Sequence, residues 1–116
     1  MITAQLTSFI PASVAKFADK QEPSNTVTVI AIPAVENKRI VIQGIQGSYT
    51  TTPVGGRLHI TDGLDTFFEV DITAAGFFAF NPVLAFPVSK GVVITLAAGG
   101  GTAVGKLNAQ WIEYAE

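Results

Sequence analysis

Along residues 26–114, apolar and polar positions alternate with a period of two in one short run after another, and Gly, Pro, Asn and Asp mark the breaks. In 26–32, Val27, Val29 and Ala31 share one face and Thr28, Ile30 and Ile32 the other. That double apolar face predicts a strand buried on both sides or covered by a neighbour. Pro33, which has no ladder donor, ends it. Residues 38–49 predict a longer strand in which Ile40 and Ile42 share a face while Ile45 falls on the opposite parity. A bulge at Gly44 would return Ile45 to the core. Next, Leu58 and Ile60 point in while Arg57, His59 and Thr61 point out, and Asp62-Gly63 turns the chain. Phe68, Val70 and Ile72 then form an inner face, with Glu69 and Asp71 on the wet side. Val92, Ile94 and Leu96 line one face of a strand within 90–98, and 97–105 reads as a flexible hairpin turn of small residues. In the last strand, 106–114, Leu107, Ala109 and Trp111 oppose Ile112 and Tyr114.

Two segments depart from this pattern. Phe77, Phe78, Phe80 and Phe86 crowd into ten residues punctuated by Asn81-Pro82 and closed by Pro87, and no period of two or 3.6 takes in all four. Residues 1–25 carry isolated apolar positions (Phe9, Ile10, Val14, Phe17) among small and polar ones and end in a turn signal, Glu22-Pro23-Ser24-Asn25. They read as a first strand continuing into an extended arm, or as an ordinary first strand and loop, with a short helix over 12–20 weakly supported. About seven short strands at roughly ten-residue spacing, with no helical pattern between them, predict an all-β fold, a sandwich or a barrel.

The chain's 116 residues fit one domain, divided here into an N-terminal strand or arm, 1–25, and a β-sandwich, 26–116. Charged residues make up 14% of it, against about 25% in average proteins, and 48% is apolar. A small domain has much surface for its volume and cannot hide that apolar area alone, so contacts with other chains are expected. The net charge of −2, with scattered Lys and Arg, offers no field for a nucleic-acid backbone. Without cysteine, neither a disulfide framework nor a thiolate site can form. No basic leader or long apolar run predicts a signal peptide or a membrane partner.

Few groups are equipped for chemistry. Gly100 to Leu107 matches a phosphate-binding loop in Gly100, Gly105 and Lys106, but Leu107 stands where Ser or Thr would hold Mg²⁺, and a strand pattern follows instead of a helix. His59 is the only histidine, and no serine sits in a nucleophile elbow. Asp62, Asp65, Glu69 and Asp71 could converge on Ca²⁺, yet Asp62-Gly63 is also a hairpin signal and the other two are the wet side of a strand. Neither catalytic nor metal residues nor a cofactor are expected. The phenylalanine cluster either caps the open end of a sandwich or forms a contact patch, and the apolar surplus favours the patch. Candidate interface residues are therefore Phe9, Ile10, Phe17, Phe77, Phe78, Phe80 and Phe86.

The runs Lys38-Arg39-Ile40-Val41-Ile42-Gln43-Gly44-Ile45, Leu58-His59-Ile60-Thr61-Asp62-Gly63, 92–101 and Lys106-Leu107-Asn108-Ala109-Gln110-Trp111 resemble small virion proteins of tailed bacteriophages, especially jelly-roll decoration or cement proteins. The resemblance covers about residues 26–114 and is one of pattern. It implies an eight-stranded, two-sheet antiparallel jelly roll and a homo-oligomer, dimer or trimer, whose N-terminal arm reaches a neighbour. It further implies the major capsid protein as partner, a place on the capsid surface of the virion after synthesis in the bacterial cytoplasm, and no active site. The competing reading is a carbohydrate-binding or adhesive module of a phage tail or fibre, for which Trp111, Tyr49 and Tyr114 with Asn108 are the candidates. Trp and Tyr more often serve as core residues with one satisfied polar end.

Overall fold

A computed structural model describes residues 13–115, with side chains from residue 15. The expectations for Phe9, Ile10 and most of the arm lie outside the described residues. The described chain forms nine strands: β1 Ser13–Gln21, β2 Thr28–Ile32, β3 Lys38–Tyr49, β4 Arg57–Thr61, β5 Thr66–Asp71, β6 Gly76–Phe80, β7 Leu84–Ala85, β8 Val92–Leu96 and β9 Gly105–Ala115. One sheet has the order β1-β9-β3-β6, with β7 also on β3, and the other the order β2-β8-β4-β5. Every pairing is antiparallel. Every connection switches sheets except β4 to β5 and β6 to β7, which makes the sandwich a jelly roll. Where a helix was weakly expected over 12–20, β1 pairs with β9 throughout its length.

The core between the sheets follows the predicted inner faces. Ile40, Ile42, Ile45 and Tyr49 of β3 meet Leu107, Ala109 and Trp111 of β9 on one side, and Leu58, Ile60, Val92, Ile94 and Leu96 close it from the other. The β3–β9 register shifts between Ile42 and Gly44, leaving Gln43 as the extra residue. The expected bulge is present, and it carries Ile45, Gly47 and Tyr49 back to the inner side. A second shift lies between Ile60 and Thr61, where Phe67 is the extra residue of β5. Phe68 packs against the core with its ring 5.7 Å from that of Phe80, while Phe67, itself exposed, lies with its ring 4.5 Å from that of Phe86.

Three local expectations are corrected. The phenylalanine segment is an edge strand broken once: β6 pairs with Ile45 to Tyr49, the chain detours through Asn81-Pro82-Val83 beside the bulge, and β7 resumes on Val41 and Ile42. Phe78 and Phe80 thus keep one parity with Leu84 and Phe86, facing inward, and Phe77 alone faces out. Residues 97–105 do not turn a hairpin within one sheet; they arch from β8 to β9 and are pinned there. Asn25 N–H donates to the Ala103 carbonyl at 2.8 Å, Val54 N–H to Gly99 at 2.7 Å and Thr50 N–H to Val104 at 3.1 Å. The positive φ of Gly100 and Gly101 lets the arch close. Finally, β2 is covered on one side only: Thr28, Ile30 and Ile32 are buried, whereas Val27, Val29 and Ala31 are exposed.

Candidate functional site

The chemistry-bearing groups singled out in the sequence are spread over the fold. Asp62 Oδ1 accepts from the Leu64 and Asp65 amides at 2.9 and 2.7 Å, and those backbone donors, Asp65 first, hold its carboxylate below the usual range. Glu69 and Asp71 face Arg57 across β4 and β5, at 2.6 and 3.0 Å. The carboxylates of Asp62, Glu69 and Asp71 are thus engaged by their own loop and by one guanidinium; among the described residues no group of His, Asp and Glu side chains is arranged to hold a metal ion. His59 sits half-buried on the outer face of β4, opposite Thr95 and Glu69. The loop resembling a phosphate cradle opens directly into β9, so no helix N-terminus stands behind it.

Of the seven candidate interface residues, Phe17 (78% exposed) and Phe77 (75%) lie open on the outer face of the β1-β9-β3-β6 sheet. Phe78 and Phe80 are half-buried against the core, with ring centroids 5.9 Å apart. Phe86 is fully buried and leaves the candidate set, because the parity of β7 turns it between the sheets. Tyr49 and Trp111 are likewise core residues, so they cannot serve as sugar platforms; Tyr114 and Asn108 do lie on the outer face of β9.

Two outer faces result, and they differ in character. On the β2-β8-β4-β5 sheet, the edge strand β2 presents Val29 (36% exposed) beside Thr95 and Ala31 beside Val93, with Val27 (45%) just ahead of the strand. This apolar strip gives way across the sheet to Arg57, Glu69 and Asp71. On the other sheet the register aligns Asp19, Asn108, Gln46 and Ala79 in one row and Gln21, Lys106, Ser48 and Phe77 in the next. A shallow groove of about 290 Å³ crosses this face between those rows. Beside it, Gln110 Nε2 donates to Gln46 Oε1 at 2.7 Å and to Asn108 Oδ1. Neither face was assembled from the sequence alone, since both depend on which strands become neighbours; the available signal was the double apolar face of 26–32 and the recurrence of Asn and Gln at alternate positions of β9.

Neither a family model nor a curated protein sequence matches this chain. Among solved structures, it is similar to a chain of the acid-stable capsid of Helicobacter pylori bacteriophage KHP30, with a TM-score of 0.53, 14% identity, and 86% of this chain and 90% of that one covered. A family 16 carbohydrate-binding module is similar over 75% of this chain and 70% of its own, with a TM-score of 0.51 and 11% identity. The core of Drosophila NLP, whose structure bears on pentamer formation and histone binding, is similar over 82% and 96%, with a TM-score of 0.50 and 12% identity. At these identities the likeness is one of fold.

Proposed function

We propose that this protein is a non-enzymatic structural protein of a phage virion, a decoration or cement protein that self-associates and binds the major capsid protein lattice from outside. The observation that carries the reading is the exposed apolar strip on and beside β2, an edge strand whose outer ladder has no partner among the described residues. Such a strip is a surface for another chain, because apolar area gains about 25 cal/mol per Å² when removed from water and a free strand edge offers unpaired backbone groups. Exposed Phe17 on the edge strand β1 adds an apolar side chain on the outer face of the opposite sheet, and the proposed arm, residues 1–12, would reach a neighbour from that edge. The pattern resemblance to phage decoration proteins and the fold shared with a phage capsid chain support the same reading. Symmetry then multiplies weak contacts on a lattice through avidity.

Light scattering on the purified protein gives the subunit number, and co-sedimentation with undecorated capsids of the phage that encodes it tests the partner. A dimer or trimer that pellets with capsids is expected. A strict monomer that stays in the supernatant overturns the reading.

A further inference from the structure

The groove on the outer face of the β1-β9-β3-β6 sheet belongs to no contact invoked above. We propose that it is a binding site for neutral oligosaccharide chains, with Phe77 as the stacking platform and Asn108, Gln46 and Asp19 as the groups that bond sugar hydroxyls. Four strands build it: β1 supplies Asp19, β9 Asn108 and Lys106, β3 Gln46 and Ser48, and β6 Phe77. The groove therefore runs transverse to the strands and spans three inter-strand spacings, about 14 Å. That is an elongated footprint, suited to a chain of sugar rings more than to a single compact ligand.

The lining selects the class of ligand. Asp19 and Lys106 offset each other, and the remaining polar groups are amides and a hydroxyl, which carry no charge and offer both donors and acceptors. A phosphate backbone or another polyanion would need several cations, which this face lacks. The amides are held in place before any ligand arrives. Gln110 bonds Gln46 and Asn108 through its own nitrogen, which leaves the amide nitrogens of those two residues as donors. Gly44 makes room for this arrangement: a Cβ there would lie 2.8 Å from Gln110 Oε1, 3.0 Å from Gln46 Nε2 and 3.3 Å from Asn81 Oδ1.

Phe77 supplies the apolar half of the recognition. Among the described residues, Phe67, Phe68, Phe78, Phe80 and Phe86 make ring contacts with one another, and Phe77 makes none. Its ring lies open at the end of the groove, where the C–H face of a pyranose can cover it. A ligand with hydroxyls around its rim and C–H groups on its faces satisfies the amides and the ring together. A protein partner would find here a polar floor instead of the apolar strip that the opposite sheet offers.

The experiment is affinity electrophoresis and calorimetry on the full chain with maltohexaose, cellohexaose, laminarihexaose and mannohexaose, and with heparin as a charged control. At least one neutral chain is expected to bind. Phe77→Ala and Asn108→Ala should each weaken that binding about tenfold or more, equal to ~1.4 kcal/mol, with the thermal midpoint of Phe77→Ala unchanged. Val29→Thr should leave sugar binding intact while affecting self-association, so the two surfaces are read separately. The proposal is overturned if no neutral chain binds, if both groove variants bind as the wild type does, or if heparin alone binds. It is also overturned if Phe77→Ala instead dissociates the oligomer and no sugar binds.

Discussion

Tyr49 shows how one polar atom is accommodated in an otherwise apolar interior. Its ring is buried at the end of β3, and its hydroxyl donates to the Ala97 carbonyl at 2.5 Å, tying β3 to the arch between β8 and β9. Tyr49→Phe keeps the ring and orphans that carbonyl, so a loss of about 1–2 kcal/mol is expected in urea unfolding. The same residue predicts a response to alkali. Burial pushes the phenol above its ordinary value, against a smaller opposing effect of the Arg57 backbone. Below about pH 10 the phenol is protonated in both folded and unfolded chains and stability does not depend on it. Above that, the unfolded chain releases the proton first, so stability falls as pH rises towards the folded pKa. Unfolding followed from pH 8 to 11 should show this decline in the wild type and a weaker one in Tyr49→Phe; an identical decline in both would assign the alkaline loss to other groups. Trp111 offers the contrast, for its Nε1 is buried without a partner, and only its area accounts for its place in the core.

Among elements, β3 does the most to organise the molecule, because it pairs with β9 along one edge and with β6 and then β7 along the other. Gln43 is the extra residue at the point where β6 leaves and β7 arrives. Removing it leaves Ile42 inward, Gly44 outward and Ile45 inward, an unbroken alternation. Deleting Gln43 should therefore give a folded protein with a straightened β3, whereas deleting Gln46 turns Gly47 and Tyr49 to the wrong face and should prevent folding. Circular dichroism and amide-resolved NMR of the two deletions check this, and equal damage from both would refute it. The bulge was legible in advance because Ile45 broke the parity of Ile40 and Ile42 beside a glycine. The path of residues 76–86 was not, because Phe77 and Phe78 are adjacent and only the pairing to Ser48 and Gly47 decides which turns outward. The same limit hid the groove: Asp19, Asn108 and Gln46 are far apart in the chain, and the ladder alone sets them side by side.

On the scale of the whole molecule, the apolar surplus seen in the composition divides unequally. Much of it fills the space between the sheets, as the strand parities required, but Val27, Val29, Phe17 and the loop residues Val54, Leu64 and Val83 remain exposed. β2 is where this matters most. Its inner face follows ordinary alternation, so nothing among the described residues calls for valines at 27 and 29, and threonine would serve a strand there equally well. Their cost in solubility is offset only if another chain covers them. A protein stabilised by its own association melts at a temperature that rises with concentration, because dilution favours the free, partly uncovered chain. The wild type should therefore gain several degrees between micromolar and hundreds of micromolar protein. Val27→Thr/Val29→Thr, which keeps β propensity and removes apolar area, should melt at one temperature throughout that range and scatter light as a smaller particle. Because these side chains lie outside the core, the variant's midpoint at the lowest concentration should match that of the wild type. A variant that melts lower at every concentration would show instead that the valines act within the chain, and the association surface would then have to lie elsewhere on the sandwich.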